Sequence, residues 1–423
     1  MDAIAAMLMA DIALVVALSA LLGAVARRLG QPTVVGQIFT GLLLGPSLLG
    51  RLPGHLTSHL FPYQVLPYLT VLSQVAVVIF MFAVGYEIDL GSIHGHGRAV
   101  PLVAAGAFFT PMALGMGIAL LFRPGFAAIG ERAAGRPFVL FMGVVMAVTA
   151  LPVLAAIVRE RGLAGSIAAT IATTAAGTMD LLAWLVLAAA LIGAGHAPKL
   201  PWLITLLLIV GFTAGMLLVV RPALSWWTNR QQSVLSSPAP VAFALAMASA
   251  WITTVLGLHP VFGGFLAGLT MRGHSTAPDA DVLRSMDQAG SLLLPLFFVI
   301  TGLSLNVGAV RGGGLALLLL TLVMACAGKL GPGYVVSRVC GLEARQSATI
   351  AALVNTRGLT ELIALNVGLS SGIIGHRLFS ILVLMALLTT LMTGPLLSQI
   401  SRSRPRQSAG PEFQHDVSYP GTG

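Results

Sequence analysis

The sequence predicts an all-α membrane protein with about thirteen transmembrane helices arranged as two inverted repeats. Of its 423 residues, 57% are hydrophobic and 9% are charged, whereas about 25% are charged in a typical soluble domain. The apolar residues form blocks close to the roughly 20 residues that a membrane-spanning helix needs. Related motifs also recur seven blocks apart, which indicates an internal repeat.

Thirteen apolar blocks are predicted as spans, each ending at charges or at a Pro/Gly cluster. They cover residues 8–27, 33–50, 67–86, 99–122, 137–158, 166–194, 201–220, 238–256, 258–271, 288–305, 313–338, 346–369 and 376–398. The N-terminal segment lacks a basic n-region and a small-residue cleavage site, so the first span is expected to stay uncleaved. This number of spans leaves mostly short loops.

The basic residues predict how the spans are oriented. Of the 23, fourteen lie in loops that follow odd-numbered spans, seven in loops that follow even-numbered spans, and Lys329 and Arg357 inside spans. Because cytoplasmic loops are enriched in Lys and Arg, we expect the N-terminus outside and the C-terminus in the cytoplasm of a multi-pass plasma-membrane protein. The net charge of +9 is scattered over loops, so nucleic acid is not an expected partner.

Three motif pairs suggest that the two halves repeat with opposite orientation. Three kinds of block each occur twice. They are short Gly-rich blocks, which predict close helix packing, blocks with similar ends, and blocks with a central interruption. These pairs are 41–46 with 263–268, 80–90 with 297–307, and 149–152 with 355–359. An odd separation of seven spans inverts one copy, as in secondary transporters with broken helices. The alternative is coincidence among Gly-rich apolar segments.

Asp180 is the first candidate site residue, because it lies near the middle of span 6 with no neutralising neighbour in sequence. A carboxylate at this depth is costly and usually marks an ion or proton site, although a buried hydrogen bond could also hold it. In span 5, Pro152 removes a backbone donor and predicts a helix break. The hydroxyl of Thr149 and the freed carbonyls could then bind a monovalent cation, and Asn355 to Gly358 mirror this break in span 12.

Other ionisable residues have weaker assignments. Lys329 is predicted to be buried in span 11, and Arg357 and Glu361 are spaced for an intrahelical ion pair, functional or merely self-neutralising. Glu87 and Asp89 are expected to be solvated caps, with a role as ion ligands as the alternative. His94, His96 and His259 are not expected to be ligands, and pH sensing is the alternative role for them. Cys326 and Cys340 lack metal-ligand spacing. We therefore expect no cofactor and no bound metal other than a transported cation at Asp180.

These residues resemble the monovalent cation/proton antiporter superfamily, specifically its cation/proton antiporter-2 branch with plant-type exchangers and bacterial relatives. The matching segments, which cover nearly the whole chain in the family's order, are 31–50, 147–163, that around Asp180, 258–269, 292–307, that around Lys329, 353–369 and 382–397. The resemblance implies the Na⁺/H⁺ antiporter fold, with crossed broken helices and a homodimer in the bilayer. It also implies scaffold spans 1–3 (1–98), core spans 4–6 (99–194), a connecting span 7 (195–230), scaffold spans 8–10 (231–312), core spans 11–13 (313–398) and a disordered cytoplasmic tail (399–423).

The resemblance further implies a secondary antiporter, not an enzyme, that exchanges protons for K⁺ or Na⁺ at Asp180. Thr149 would complete the cation shell, Lys329 would stabilise the crossover, and Arg357 with Glu361 and Asn355 would tie or gate span 12. Where relatives have Asp, Asn or Gln before the essential Asp, this chain has Met179, which predicts electroneutral exchange. Alternatives are an uncoupled cation efflux channel or an intramembrane enzyme. The sequence contains no G-x-x-x-x-G-K-[ST] motif.

Overall fold

A computed structural model describes residues 2–29, 31, 33–45, 48–51, 60–87, 98–131, 135–163, 165–193, 202–230, 238–256, 258–272, 279–305 and 307–402. All regular secondary structure in these ranges is helical, because a helix satisfies every backbone polar group inside lipid. Helices occur at all thirteen predicted span positions. Within the described ranges, nine segments are long and apolar enough to cross a membrane. The predicted all-α membrane fold is confirmed.

The helices of the described chain are numbered in order. They are α1 (Asp2–Arg28), α2 (Thr33–Leu44), α3 (Leu66–Glu87), α4 (Ala99–Leu121), α5 (Arg123–Ala128), α6 (Gly135–Ala147), α7 (Leu151–Glu160), α8 (Ile167–Gly193), α9 (Trp202–Gly215), α10 (Arg221–Arg230), α11 (Ala239–Val255), α12 (Pro260–Arg272), α13 (Ala280–Leu303), α14 (Gly313–Val339), α15 (Ala344–Val354), α16 (Leu359–Ser370) and α17 (His376–Arg402). A π-helical turn, Met216–Val220, joins α9 to α10, and short 3-10 turns cover Leu49–Arg51 and Val307–Val310.

Some helix ends differ from the predicted ones. Helix α2 ends at Leu44, before the predicted limit of 50, whereas α13 begins at Ala280 rather than 288. The early start has a local cause, because the Asp279 carboxylate accepts a hydrogen bond of 2.8 Å from the Asp281 N–H and caps the helix. Helix α17 continues to Arg402. The first residues of the predicted tail are therefore helical, and residues 403–423 lie outside the described part.

Glycines allow the predicted close-packing helices to approach at backbone distance. A Cβ on Gly41 of α2 would lie 2.5 Å from the Phe298 carbonyl oxygen and 2.9 Å from the Gly302 Cα on α13. A Cβ on Gly264 of α12 would lie 2.6 Å from the Val78 carbonyl oxygen on α3. Small residues are the usual means of close helix packing in membranes. The prediction of close packing for these two Gly-rich spans is confirmed.

Buried apolar side chains form one large and two smaller clusters. The large cluster draws mainly on α4, α6 to α8 and α14 to α17. The smaller ones draw on α1 to α3 and α11 to α13, together with the π-helical turn. The large cluster also includes residues of α2, α3, α12 and α13. The division into core and scaffold, and the relative motion of the two groups, stay predictions.

We expect Gly41→Ala to destabilise the protein, because the added methyl group must push α2 away from α13. Overpacking of this kind costs about 1–3 kcal/mol. The matched control is Gly331→Ala on α14, where a Cβ would meet nothing within 4 Å and alanine favours the helix. Thermal unfolding in detergent should show a lower midpoint for Gly41→Ala alone. Equal midpoints for the two variants would contradict the packing assignment.

Candidate functional site

Two interrupted helices meet in the middle of the molecule. Helix α6 ends at Ala147 and α7 begins at Leu151, while α15 ends at Val354 and α16 begins at Leu359. The two breaks contact each other, since the Ala150 N–H donates to the Thr356 carbonyl at 3.0 Å. The predicted crossing of broken helices is therefore confirmed. It brings two helix N-termini and two C-termini, with their opposite partial charges, close together.

Proline and glycine shape the two breaks in different ways. Pro152 lies in the first turn of α7, where its missing N–H would have no intrahelical partner. The sequence predicted the interruption at 149–152, and the non-helical residues are 148–150, directly before the turn that contains Pro152. In the other break, Gly358 lies against α7, and a Cβ there would be 2.7 Å from Val153 Cγ2. The two connections can therefore pass each other closely.

Lys329 of α14 reaches the first break from the side. It is completely buried, and its ammonium donates to the Ala147 carbonyl and, at 2.6 Å, to Thr149 Oγ1. The Met179 Sδ lies 3.8 Å from the same ammonium. Thr149 in turn donates to the Val354 carbonyl at 3.0 Å. Lys329 thus places positive charge at the C-terminus of α6, where the helix dipole is negative, and Thr149 connects it to the second break.

Arg357 and Glu361 form the predicted ion pair, with 2.7 Å between Arg357 Nη1 and Glu361 Oε1 and both side chains fully buried. The guanidinium also donates to the carbonyls of Val145 and Met146, each at 2.6 Å. These carbonyls belong to the last turn of α6, so the pair links both broken helices. Spacing in the sequence predicts the contact within the helix. The contact to α6 depends on how the two breaks cross.

Asp180 lies in the middle of α8 with 1% of its surface exposed. Neither carboxylate oxygen has a hydrogen-bond partner among the described residues. The Leu151 N–H at the start of α7 lies close to the carboxylate, and Lys329 is its nearby cation. A helix N-terminus favours an anion without fixing it in one position. Asp180 therefore lies in a favourable electrostatic setting, and its carboxylate oxygens can still accept a ligand.

A narrow cavity with no room for a water molecule borders the Asp180 carboxylate. It is mostly apolar and is lined by Val144, Val148, Asp180, Ala183, Trp184, Leu187, Thr360 and Ala364. The Thr360 hydroxyl is buried and has no hydrogen-bond partner within the described ranges. Neither Thr360 nor Trp184 is among the site residues predicted from the sequence. Their signals were weak: a threonine next to the interruption in span 12, and a tryptophan one helical turn after Asp180.

The remaining candidates lie farther from Asp180 or have other partners. Asn355 is the buried residue that ends α15, and its amide lies beside the Cys326 thiol. The Nδ1 of His259 is 3.5 Å from the Val261 N–H at the start of α12. Glu87 is exposed at the end of α3, as expected for a solvated cap. Asp89, His94 and His96 lie outside the described residues.

Comparison with known proteins agrees with this geometry. The family described as "Sodium/hydrogen exchanger, transmembrane" matches residues 14–402. Cation/H(+) antiporter 20 of Arabidopsis thaliana is 35% identical over 407 residues, which cover 93% of this chain and 48% of that protein. The chain thus spans about half the length of this relative. Na(+)/H(+) antiporter NhaS4 of a Synechocystis strain is 32% identical over 403 residues, covering 93% of this chain and 97% of that protein.

The fold also matches that of a solved transporter. The structure of the sodium proton antiporter MjNhaP1 from Methanocaldococcus jannaschii aligns with a TM-score of 0.69 at 15% identity, over 95% of this chain and 99% of that one. The likeness shows a common helical architecture. Together with the family match over nearly the whole chain, it shows that the protein belongs to the sodium/hydrogen exchanger family.

Proposed function

We propose that this chain is a secondary antiporter that exchanges protons for K⁺ or Na⁺, with Asp180 as the shared binding group. The observation that carries this proposal is a fully buried carboxylate at two crossing helix breaks that has no hydrogen-bond partner among the described residues. The relatives named above are cation/H⁺ and Na⁺/H⁺ antiporters, which favours coupled exchange over an uncoupled channel or an enzyme.

The charge of Asp180 explains why it would carry one ion at a time. A carboxylate with no hydrogen-bond partner among the described residues is costly in an apolar cavity, and either a proton or a monovalent cation would neutralise it. Because both use the same oxygens, binding of one displaces the other. The site would then cross between the two sides as α4, α6 to α8 and α14 to α17 slide against the remaining helices. In this proposal the sliding helices are the predicted core, and the remaining helices are the predicted scaffold.

Hydroxyls and free carbonyls would supply the rest of the cation shell. Thr360 lines the same cavity as Asp180, and its unpaired oxygen makes it a candidate ligand. Thr149, predicted from sequence for this role, contacts Lys329 at 2.6 Å in this structure. It would become a ligand when the lysine moves away. Broken helices commonly bind transported cations through such oxygens.

The other buried charges would hold the crossing together while it moves. Lys329 and Arg357 donate to three carbonyls at the end of α6, and Glu361 compensates Arg357. In their charged forms these three residues and Asp180 sum to zero. On this basis we assign Lys329, Arg357 and Glu361 to stabilising or gating roles. Asn355, at the end of α15, keeps the same predicted role from its place at the second break. The charge of the Asp180 carboxylate is then the one that changes when a proton or cation binds.

We propose the same surroundings for the protein as the sequence predicts. The chain would be a homodimer in the plasma membrane, with the N-terminus outside and the C-terminus cytoplasmic. The support for this orientation is the excess of arginines in loops that follow odd-numbered spans. The partners would be H⁺, the transported K⁺ or Na⁺, and the lipid bilayer.

Asp180→Asn should abolish exchange while the protein still inserts and folds, because the amide removes a buried charge but cannot carry the proton. The measurement is cation-driven proton movement in proteoliposomes, with Na⁺, K⁺ and Li⁺ tested in turn. The matched control is Asp281→Asn, a change of the same chemistry at an exposed position in the first turn of α13. Exchange at the wild-type rate in Asp180→Asn would remove the central claim.

Arg357→Ala should destabilise the protein by about 3–5 kcal/mol, because it leaves a buried carboxylate unpaired and removes donors from two carbonyls of α6. The double variant Arg357→Ala with Glu361→Gln should recover part of this loss, since no unpaired charge remains. Unfolding of the wild type, both single variants and the double variant gives the coupling energy. Strictly additive effects would show that the pair does not act as a unit.

Exchange should be electroneutral, because Asp180 cycles alone and the thioether of Met179 cannot titrate. The test clamps the liposome potential with a permeant ion other than the substrate and measures the proton flux at several voltages. The balance point should not move with voltage. Met179→Asp would place a second carboxylate beside the Lys329 ammonium, where the sulfur now lies 3.8 Å away, and should make the balance point voltage-dependent. A voltage-dependent wild type would contradict one-for-one exchange.

A further inference from the structure

Trp184 lines one side of the Asp180 cavity. It lies on α8 one turn beyond Asp180, about 6 Å further along the axis, and only 4% of its surface is exposed. Its indole packs edge-to-face against Phe262 of α12, with 5.6 Å between ring centroids and an interplanar angle of 89°. A helix that carries the site is thus joined through an aromatic pair to the Gly-rich helix that packs on α3.

A second contact joins the same two groups of helices. Asn366 of α16 donates through Nδ2 to Thr301 Oγ1 of α13 at 3.0 Å. The Thr301 hydroxyl donates its own proton to the Phe297 carbonyl at 2.8 Å, so its oxygen is correctly placed to accept from Asn366. Thr301 is fully buried. Asn366 also donates to Leu362 of its own helix at 2.8 Å, which fixes the orientation of its amide.

The two contacts lie on the same side of Asp180. Helices α8 and α16 belong to spans 6 and 12, which are both even-numbered and therefore run in the same direction across the membrane. In each helix the contact residue follows the cavity residue: Trp184 comes after Asp180, and Asn366 comes six positions after Thr360. The cavity extends in this direction as far as Leu187 and Ala364. An ion that enters from this side would approach along α8 and α16, which contact α12 and α13 through these side chains.

We propose that the Trp184–Phe262 pair and the Asn366–Thr301 hydrogen bond form a gate that closes one route to Asp180 and separates when that route opens. Under the predicted orientation, this is the extracellular route. All four are gating residues that do not bind the ion. Their role in exchange depends on the proposed function, but their control of access to the cavity does not. The two contacts are individually weak, which suits a gate that opens in every cycle.

The test measures access directly, through a cysteine placed in the cavity. Ala183→Cys, with Cys326 and Cys340 changed to serine, supplies the reporter, and a membrane-impermeant cationic methanethiosulfonate is the probe. The reagent is applied to intact cells and to inverted vesicles. The gate is weakened from its far side by Phe262→Ala or Thr301→Val, which leave the residues lining the cavity unchanged. Asn366→Ala is the second variant of the hydrogen bond.

Each gate variant should raise the rate of reporter modification about five- to tenfold from one side only, as expected for loss of one aromatic or hydrogen-bonded contact. The matched controls should leave the rate unchanged. They are Phe243→Ala, an exposed phenylalanine of α11, and Thr321→Val, a buried threonine that bonds to the Leu317 and Leu318 carbonyls of its own helix. A rate that is unchanged, or raised equally from both sides, in gate variants with a normal unfolding midpoint would overturn the proposal.

A cross-link separates the gate from the proposed function. The pair Thr301→Cys with Asn366→Cys, oxidised to a disulfide, should stop exchange and protect the reporter, and reduction should restore both. Reporter protection in a protein that exchanges no cation even when reduced supports the gate and contradicts the antiporter assignment. Undiminished exchange by the cross-linked protein overturns the gate and leaves the antiporter assignment intact.

Discussion

Two helices are interrupted at the depth of the lipid, and their free backbone groups must find partners inside the protein. The rest of the structure depends on this constraint. The Ala150 N–H bonds to the Thr356 carbonyl across the crossing, while Lys329 and Arg357 donate to carbonyls at the end of α6. The buried side chains of Lys329 and Arg357 therefore serve as hydrogen-bond donors to backbone carbonyls as well as positive charges. The positive charge of Lys329 near Asp180 helps to offset the burial of a carboxylate that has no hydrogen-bond partner in the described part of the chain.

The helices contact each other in two ways: some pack backbone against backbone, and others touch only through side chains that can separate. Where α2 meets α13 and α12 meets α3, glycines bring backbones together, and such surfaces cannot slide without a large loss of van der Waals contact. Helix α8, which carries Asp180, meets α12 through the contact of Trp184 with Phe262. Helix α16 meets α13 through the hydrogen bond from Asn366 to Thr301. Contacts of this second kind can be broken one at a time. The distribution fits transport by movement of one helix group against the other.

The electrostatics of the site favour one variable charge among several fixed ones. Arg357 and Glu361 compensate each other at 2.7 Å, and Lys329 is bound to Ala147 and Thr149. Among the described residues, neither Asp180 oxygen has a hydrogen-bond partner, and the Leu151 N–H and Lys329 lie nearby. A proton or a cation can therefore bind to it without dismantling the network that joins the broken helices. In the proposed mechanism, separation of the binding group from the supporting groups would allow repeated cycles without loss of the fold.

The sequence by itself determined the all-α membrane fold, the helix positions, the inverted repeat and the candidate status of Asp180, because hydropathy, helix breaks and a midplane carboxylate are local properties of the chain. The spacing of Arg357 and Glu361 likewise predicted their ion pair. Only the tertiary structure decided that Arg357 also donates to carbonyls of α6 and that Lys329 donates to Thr149. It also decided that Thr360 and Trp184 line the same cavity as Asp180. These contacts join residues far apart in sequence, and the physical reason is that they follow from the angle and depth at which the two breaks cross, which no local pattern encodes.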